Sequence, residues 1–102
     1  MATLEKDVER RLVQMVERHG GLCLKWTCPG WAGVPDRIIL LPWGRVLFCE
    51  LKRPSGGRLA AVQSWWARRL KSRGFTIRLV NDDASLALLE LEIKRIMEED
   101  TP

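Results

Sequence analysis

Two short apolar runs, Arg37–Leu41 and Arg45–Leu51, stand either side of Pro42-Trp43-Gly44, and this pattern constrains the chain more than any other. Apolar segments of this length around a Pro/Gly turn signal read as two strands in hairpin spacing, roughly 37–42 and 45–51. In the second, Val46, Phe48 and Glu50 share one face and Leu47, Cys49 and Leu51 the other. Both faces are mostly apolar, as in a central strand covered on both sides. Glu50 is the misfit. Asp36 stands at the head of the first strand and Lys52 just past the tail of the second. Strand interiors rarely carry charge without a reason, because an unpaired buried charge is costly. Three ionisable residues around one hairpin therefore suggest a site.

Periodicity organises the flanks. At about 100° per residue, Leu4, Val8, Leu12, Met15 and Val16 fall within an arc of about 120°, which predicts a helix over 4–18 closed by Gly20-Gly21. Glu5 lies inside the apolar arc and Glu9 just beyond its edge. Leu22–Trp26 reads as a first strand, and a Pro/Gly-rich loop carrying Trp31 runs from Thr27 to Pro35. After the hairpin, Arg53-Pro54-Ser55-Gly56-Gly57 reads as a flexible loop. A helix follows from about Leu59 to Arg73, with Leu59, Val62, Trp66 and Leu70 on its buried line and Gln63 within that arc. Phe75–Val80 reads as a fourth strand. Asn81-Asp82-Asp83 signals the start of a last helix over about 84–99. Its main stripe is Leu86, Leu89, Ile93, Ile96 and Met97, and Ala84, Leu88 and Leu91 form a second patch suited to a deep position or to another subunit. The expected order is α-β-β-β-α-β-α in one α/β domain spanning 1–102, with no internal repeat.

Charge is distributed unevenly. Residues 1–50 hold seven Lys/Arg and six Asp/Glu, residues 51–81 eight bases and no acid, and residues 82–102 two bases and seven acids. A purely basic third of the chain fits a polyanion such as nucleic acid, or simply a solvated basic helix face. No apolar run approaches the ~20 residues of a membrane helix. The N-terminus lacks an apolar signal segment, so an intracellular, cytoplasmic protein is expected. Cys23, Cys28 and Cys49 form no CxxC pair and their odd number argues against a disulfide framework, which leaves them as small core residues. With His19 the only histidine, a structural zinc site is not expected either. His19 at a helix end is expected to meet the last carbonyls.

Glu5, Asp36, Glu50, Lys52 and Gln63 together carry the chemistry. Converging carboxylates attract a hard divalent cation, Mg²⁺ or Mn²⁺ rather than zinc. Such a cation lowers the pKa of bound water and offsets charge building on a phosphate. Lys52, two residues from Glu50, projects from the same strand face, where an ammonium orients water or neutralises the transition state. With a basic surface to hold a phosphate backbone, this is a recipe for phosphodiester hydrolysis. Each element alone is commonplace: Glu-x-Lys is usually a solvated pair, and Pro-Asp is common in turns. Their coincidence around one hairpin carries the weight.

Gly33-Val34-Pro35-Asp36-Arg37 and Glu50-Leu51-Lys52-Arg53-Pro54, followed by Gln63 and preceded by a helix acid, resemble the PD-(D/E)xK nuclease superfamily, and within it the virus-type replication-repair nuclease (VRR-NUC) branch. The resemblance runs from about Leu4 to Val80. It implies a restriction-endonuclease-like core, a mixed four-stranded sheet flanked by helices. It also implies Asp36 and Glu50 as metal ligands with the Leu51 main-chain carbonyl, Lys52 as catalytic lysine, Glu5 as the helix acid completing the metal site, and Gln63 at its border. The implied activity is Mg²⁺- or Mn²⁺-dependent endonucleolytic cleavage of branched DNA, such as four-way junctions or flaps, by a homodimer, with a phage-encoded origin in a bacterial host. Family members often carry a Ser or Thr cap before the glutamine helix, where this chain has Ala60-Ala61. Arg37, Arg53, Arg58, Lys25 and Arg69 are the expected DNA contacts. Trp31 and Trp43, expected in loops flanking Asp36, are candidates for base stacking. The competing readings are a non-catalytic DNA-binding module on the same scaffold and a nuclease subunit that needs a partner.

Overall fold

The computed structural model describes residues 5–51 and 61–99. Its elements are α1 (Glu5–Arg18), β1 (Leu22–Lys25), β2 (Arg37–Leu41), β3 (Arg45–Leu51), α2 (Ala61–Ser72), β4 (Thr76–Val80) and α3 (Asp83–Glu99), in the order the sequence predicts. The four strands form one sheet in the order β1-β2-β3-β4. β1, β2 and β3 are antiparallel neighbours, and β4 joins β3 in parallel after the α2 crossover. The sheet is therefore mixed. No helix among the described residues is long and apolar enough to cross a membrane.

The alternation of side chains along each strand decides what each face meets. Cys23, Ile39, Leu41, Leu47, Cys49, Leu51 and Val80 point to one face and join Val8, Leu12, Met15 and Val16 of α1 and Leu86, Leu89 and Ile93 of α3 in one apolar cluster. Each large side chain buried there contributes about 1.5–3 kcal/mol. Val8, Leu12, Met15 and Val16 of the arc read from the sequence are thus the stripe buried against the sheet, while Leu4, and Leu59 of the expected α2 line, lie outside the described residues. The opposite face carries Phe48, packed at 4.9 Å on Trp26 and edge-on at 5.5 Å to Phe75. α2 covers only part of this face, which leaves Leu22 and Leu24 of β1 exposed. Val62, expected on the buried line of α2, is exposed, whereas Leu70 is buried.

Local chemistry fixes the ends. α3 is capped by Asp82, whose Oδ1 accepts the Ser85 N–H (2.8 Å), while Ser85 Oγ accepts the Asp82 N–H (3.1 Å). This reciprocal arrangement satisfies donors a helix start leaves open. α1 and α3 are tied together at their rims by Arg11–Asp83, Arg18–Glu90 and His19–Glu90 contacts. His19 thus meets a carboxylate of α3 rather than only the carbonyls that end its own helix. Leu88 and Leu91, the second patch of α3, are 67% and 57% exposed.

Candidate active site

The hairpin opens at the end away from Pro42–Gly44, and there Asp36 and Glu50 come together. The Arg37–Cys49 pair is the last ladder step of β2 on β3. One step further, the chain directions bring Asp36 alongside Glu50. Two contacts hold Asp36. Its carbonyl accepts the Trp26 N–H (2.9 Å), which extends the β1–β2 pairing, and its Oδ2 accepts the Leu51 N–H (2.9 Å). The carboxylate therefore stands in the plane of the strands, bonded to the main chain of the residue after Glu50. A charge-assisted bond to a backbone donor of this kind is among the stronger hydrogen bonds in proteins. Glu50 itself is only 4% exposed, within a strand whose residues from Leu47 to Leu51 are all buried.

Two recesses flank this junction. The first, of about 250 Å³, is lined by Glu9, Lys25, Trp26, Thr27, Asp36 and Leu51. The second, of about 180 Å³, lies beneath α2 and is lined by Pro35, Glu50, Gln63, Ala67, Lys71 and residues of β4. The Asp36 and Glu50 side chains thus line neighbouring recesses, and Pro35-Asp36 and Glu50-Leu51 form the wall between them. Gln63 lies beside Glu50, where the sequence placed it at the border of the site. Lys71, which sequence reasoning assigned no role, shares that recess. Its position two turns after Gln63 on one helix face was the available signal.

The donors suit a hard cation. Asp36, Glu50, Glu9 and the Leu51 carbonyl offer only oxygen, the ligand type preferred by Mg²⁺ and Mn²⁺. Among the described residues no group of three or more His, Cys, Asp or Glu converges closely enough to hold a metal. Mg²⁺ does not require one, since it is usually held by one or two carboxylates and keeps several waters. Burial first, then the nearby Cys23 thiol and the Asp36 and Glu50 carboxylates, push the Cys49 thiol well above the ordinary cysteine range, against the opposing effect of Arg37.

Other expected site residues are placed as follows. The Glu5 side chain and Lys52, Arg53 and Arg58 lie outside the described residues. Glu9, one turn after Glu5, faces Asp36 across the first recess. Its carboxylate meets the Arg37 guanidinium at 3.1 Å, and Arg37 also donates to the Cys23 carbonyl (3.1 Å). The Arg37 side chain is 12% exposed and directed at α1. Lys25 and Arg69 are exposed. Trp43 does not flank Asp36: it occupies the turn at the far end of the hairpin, in a left-handed conformation (φ 62°), stacked on Arg45. A hairpin necessarily puts its turn and its open end at opposite ends of the strands.

Trp31 packs against α2. Its ring and that of Trp65 both stand edge-on to Trp66, at 5.8 and 5.2 Å between centroids, and Trp66 Nε1 donates to the Ala32 carbonyl (2.9 Å). At Gly33 (φ +89°) the loop presses so closely on α2 that a Cβ would lie 2.7 Å from Val62. Only glycine meets both demands. The segment leading into Asp36 is thereby fixed to the helix that carries Gln63.

No family model matches the sequence. Over 50 residues, 49% of this chain, it is 44% identical to the protein named "Putative nuclease p44" of Acyrthosiphon pisum secondary endosymbiont phage 1. The match spans about half (54%) of that protein's length. Among solved structures, one described as a VRR_NUC domain superposes with a TM-score of 0.74, covering 97% of this chain and 100% of the other at 22% identity. The resemblance read from Gly33–Arg37 and Glu50–Pro54 is met by this likeness of fold, in element order and in the mixed sheet. The chain has the α/β fold of a VRR_NUC domain.

Proposed function

We propose that this chain is a single VRR-NUC-type nuclease domain that hydrolyses phosphodiester bonds of DNA with the help of Mg²⁺ or Mn²⁺. The observation that carries this reading is the junction of Asp36 with Glu50-Leu51 at the open end of the hairpin, where two acids are held in place by strand pairing and by the Leu51 N–H. The fold and the nuclease name of the phage relative support it.

Asp36, Glu50 and the Leu51 carbonyl would hold the cation, and Glu5 or Glu9 would supply a further carboxylate from α1. Glu9 has the direct support of facing Asp36 across the first recess. When bound, the cation lowers the pKa of a water and offsets negative charge on the phosphate. Lys52 would supply an ammonium to orient the attacking water and offset the charge that develops on the phosphoryl oxygens. Gln63 fixes the border of the site by hydrogen bonding. Water oxygen bonds to phosphorus and gives up one proton to solvent as the bond to the leaving oxygen breaks, and the leaving oxygen takes up a proton from solvent. Lys25 and Arg69, with Arg53 and Arg58, hold the phosphate backbone. Arg37 acts one step back, orienting Glu9.

The substrate proposed is branched or otherwise structured DNA inside the cell, cut by a homodimer whose contact includes Leu88 and Leu91. The test is to incubate the purified chain with linear duplex, single-stranded, flap and four-way-junction DNA in Mn²⁺, Mg²⁺ or EDTA, and to size it at several concentrations. Metal-dependent cuts concentrated at flaps or junctions, by a dimer, are expected. Cleavage in EDTA would contradict the metal role, binding without cleavage would favour a scaffold module, and a monomer throughout would remove the role given to Leu88 and Leu91.

A further inference from the structure

An exposed tryptophan is an expensive way to cover a surface, yet Trp31 is 58% and Trp65 39% exposed. Both are braced on Trp66, which meets them edge-on and is itself anchored to the Ala32 carbonyl. The Trp31 loop is tightened by the Trp31 N–H to Cys28 carbonyl bond (3.0 Å) and pinned to α2 at Gly33. The rings are held in position before any partner arrives, so little ordering remains to oppose binding. Their surroundings are basic. α2 contains no acid, Arg69 lies over the Trp65 ring at 4.6 Å, and Arg68, Lys71 and Arg73 are exposed nearby in sequence. Aromatic faces beside a cationic helix suit a partner that is both planar and anionic, which describes a nucleotide in a single strand. A base within a duplex offers no free face.

We propose that Trp31, braced like Trp65 on Trp66, is a stacking platform for an unpaired base of the DNA strand entering the candidate site, and that it gives the chain a preference for DNA with a single-stranded segment close to the bond that is cut. The platform is close to the site along the chain. Four residues lie between Trp31 and Asp36, so the two are at most about 18 Å of extended chain apart, or about five stacked nucleotides at 3.4 Å each. Pro35, between them, lines the Glu50 recess. This inference takes its strand direction toward Asp36 from the nuclease reading, but stacking itself does not require cleavage.

The test uses the full chain in EDTA, so that binding is read without cutting. A DNA duplex with a short single-stranded flap carries 2-aminopurine in the flap or, as a control, within the duplex. Quenching of the flap probe at saturation is expected, with little change for the duplex probe. For Trp31→Leu, which keeps apolar contact with Trp66 but has no aromatic face, flap affinity should fall about 5- to 100-fold while blunt-duplex affinity stays within about twofold, and Trp31→Phe should keep most of the flap affinity. An unquenched flap probe, equal losses on flap and duplex, or no DNA binding at all would overturn the platform. Should Trp31→Leu fail to fold, the quenching by the unaltered chain decides alone. Cleavage with Mn²⁺ is assayed separately: Trp31-dependent flap binding without cleavage leaves the platform standing and removes the nuclease reading, and cleavage without flap quenching does the reverse.

Discussion

Asp36 Oδ2 accepts a hydrogen bond from the Leu51 main-chain N–H at 2.9 Å, so the acid that heads one strand is tied to the residue beyond the buried acid of the next. This bond separates a structural from a chemical role for Asp36. Asparagine retains an acceptor oxygen, and alanine does not. Asp36→Ala should lose about 1–3 kcal/mol of stability, as expected when a hydrogen bond to a charged group is removed. Asp36→Asn should lose less than half of that. Urea unfolding of the two variants checks it, and equal losses would show that the bond contributes little.

The Arg37–Glu9 pair should matter for folding as well as for the site. Arg37 joins α1 to β1 through Glu9 and the Cys23 carbonyl. Arg37→Met leaves both without their cation, at a cost of about 1–3 kcal/mol. In a double-mutant cycle with Glu9→Gln, the two losses should fall short of additive by about 0.5 kcal/mol or more. Strict additivity would mean that the pair is not formed in solution.

At Gly33 the space is already taken. A methyl group there would meet both Val62 γ-carbons below 3.0 Å, at a φ of +89° that side chains rarely adopt. Gly33→Ala should cost about 1–2 kcal/mol from the backbone conformation alone and should also release Trp31 from α2. A fall in melting temperature with a change in tryptophan emission is expected. An unchanged melting temperature would show that loop and helix are not in contact.

Acid should loosen the α1–α3 side of the fold. The hydrogen bond from His19 first, and that from Arg18, hold the Glu90 carboxyl below the usual glutamate range, and backbone and hydroxyl bonds from Ser85 do the same for Asp82. A folded-state pKa below the unfolded one stabilises the fold above the unfolded value, about 4.3 for Glu and 3.9 for Asp, and that contribution disappears as pH falls through the folded value. The urea midpoint should therefore drop as pH decreases below about 4.5. Glu90→Gln and Asp82→Asn, the second of which still caps a helix, should each flatten that dependence, and an unchanged slope in both would contradict it.

Thiol reactivity should sort the cysteines. Burial pushes the Cys23 thiol up to about 11 and Cys49 higher still, whereas Cys28 is only half-buried. Because the thiolate is the reactive form, a maleimide probe should label Cys28 first in the native protein and reach Cys23 and Cys49 only on unfolding. Labelling of all three at one rate would mean that the sheet face beneath α1 is open.

The legible parts of this fold were those set by local periodicity. Val8, Leu12, Met15 and Val16 announced the buried stripe of α1, and Leu86, Leu89 and Ile93 that of α3. Glu50 stood out because a carboxylate in an otherwise apolar strand violates the pattern of its neighbours. What escaped depended on relations between elements. Val62 shares an apolar helix face with Leu70, yet its neighbour is the loop at Gly33 and it stays exposed. Alternation along β2 places Arg37 with Ile39 and Leu41, toward α1, so its proximity in sequence to Asp36 gave no guide to its partner, Glu9. The apolar arc of α1 favours Glu5 over Glu9 as the helix acid, whereas Glu9 is the residue that lines the recess with Asp36, the Glu5 side chain lying outside the described residues.

The most direct measurement of the central claim is the initial rate of cleavage of a flap or junction DNA in Mn²⁺ by the unaltered chain, Asp36→Asn and Lys52→Ala, each first shown to be folded. The unaltered chain should cut, EDTA should stop it, and each substitution should lower the rate by at least about 100-fold. Cleavage that persists at the same rate in both variants would contradict a site built on Asp36, Glu50 and Lys52.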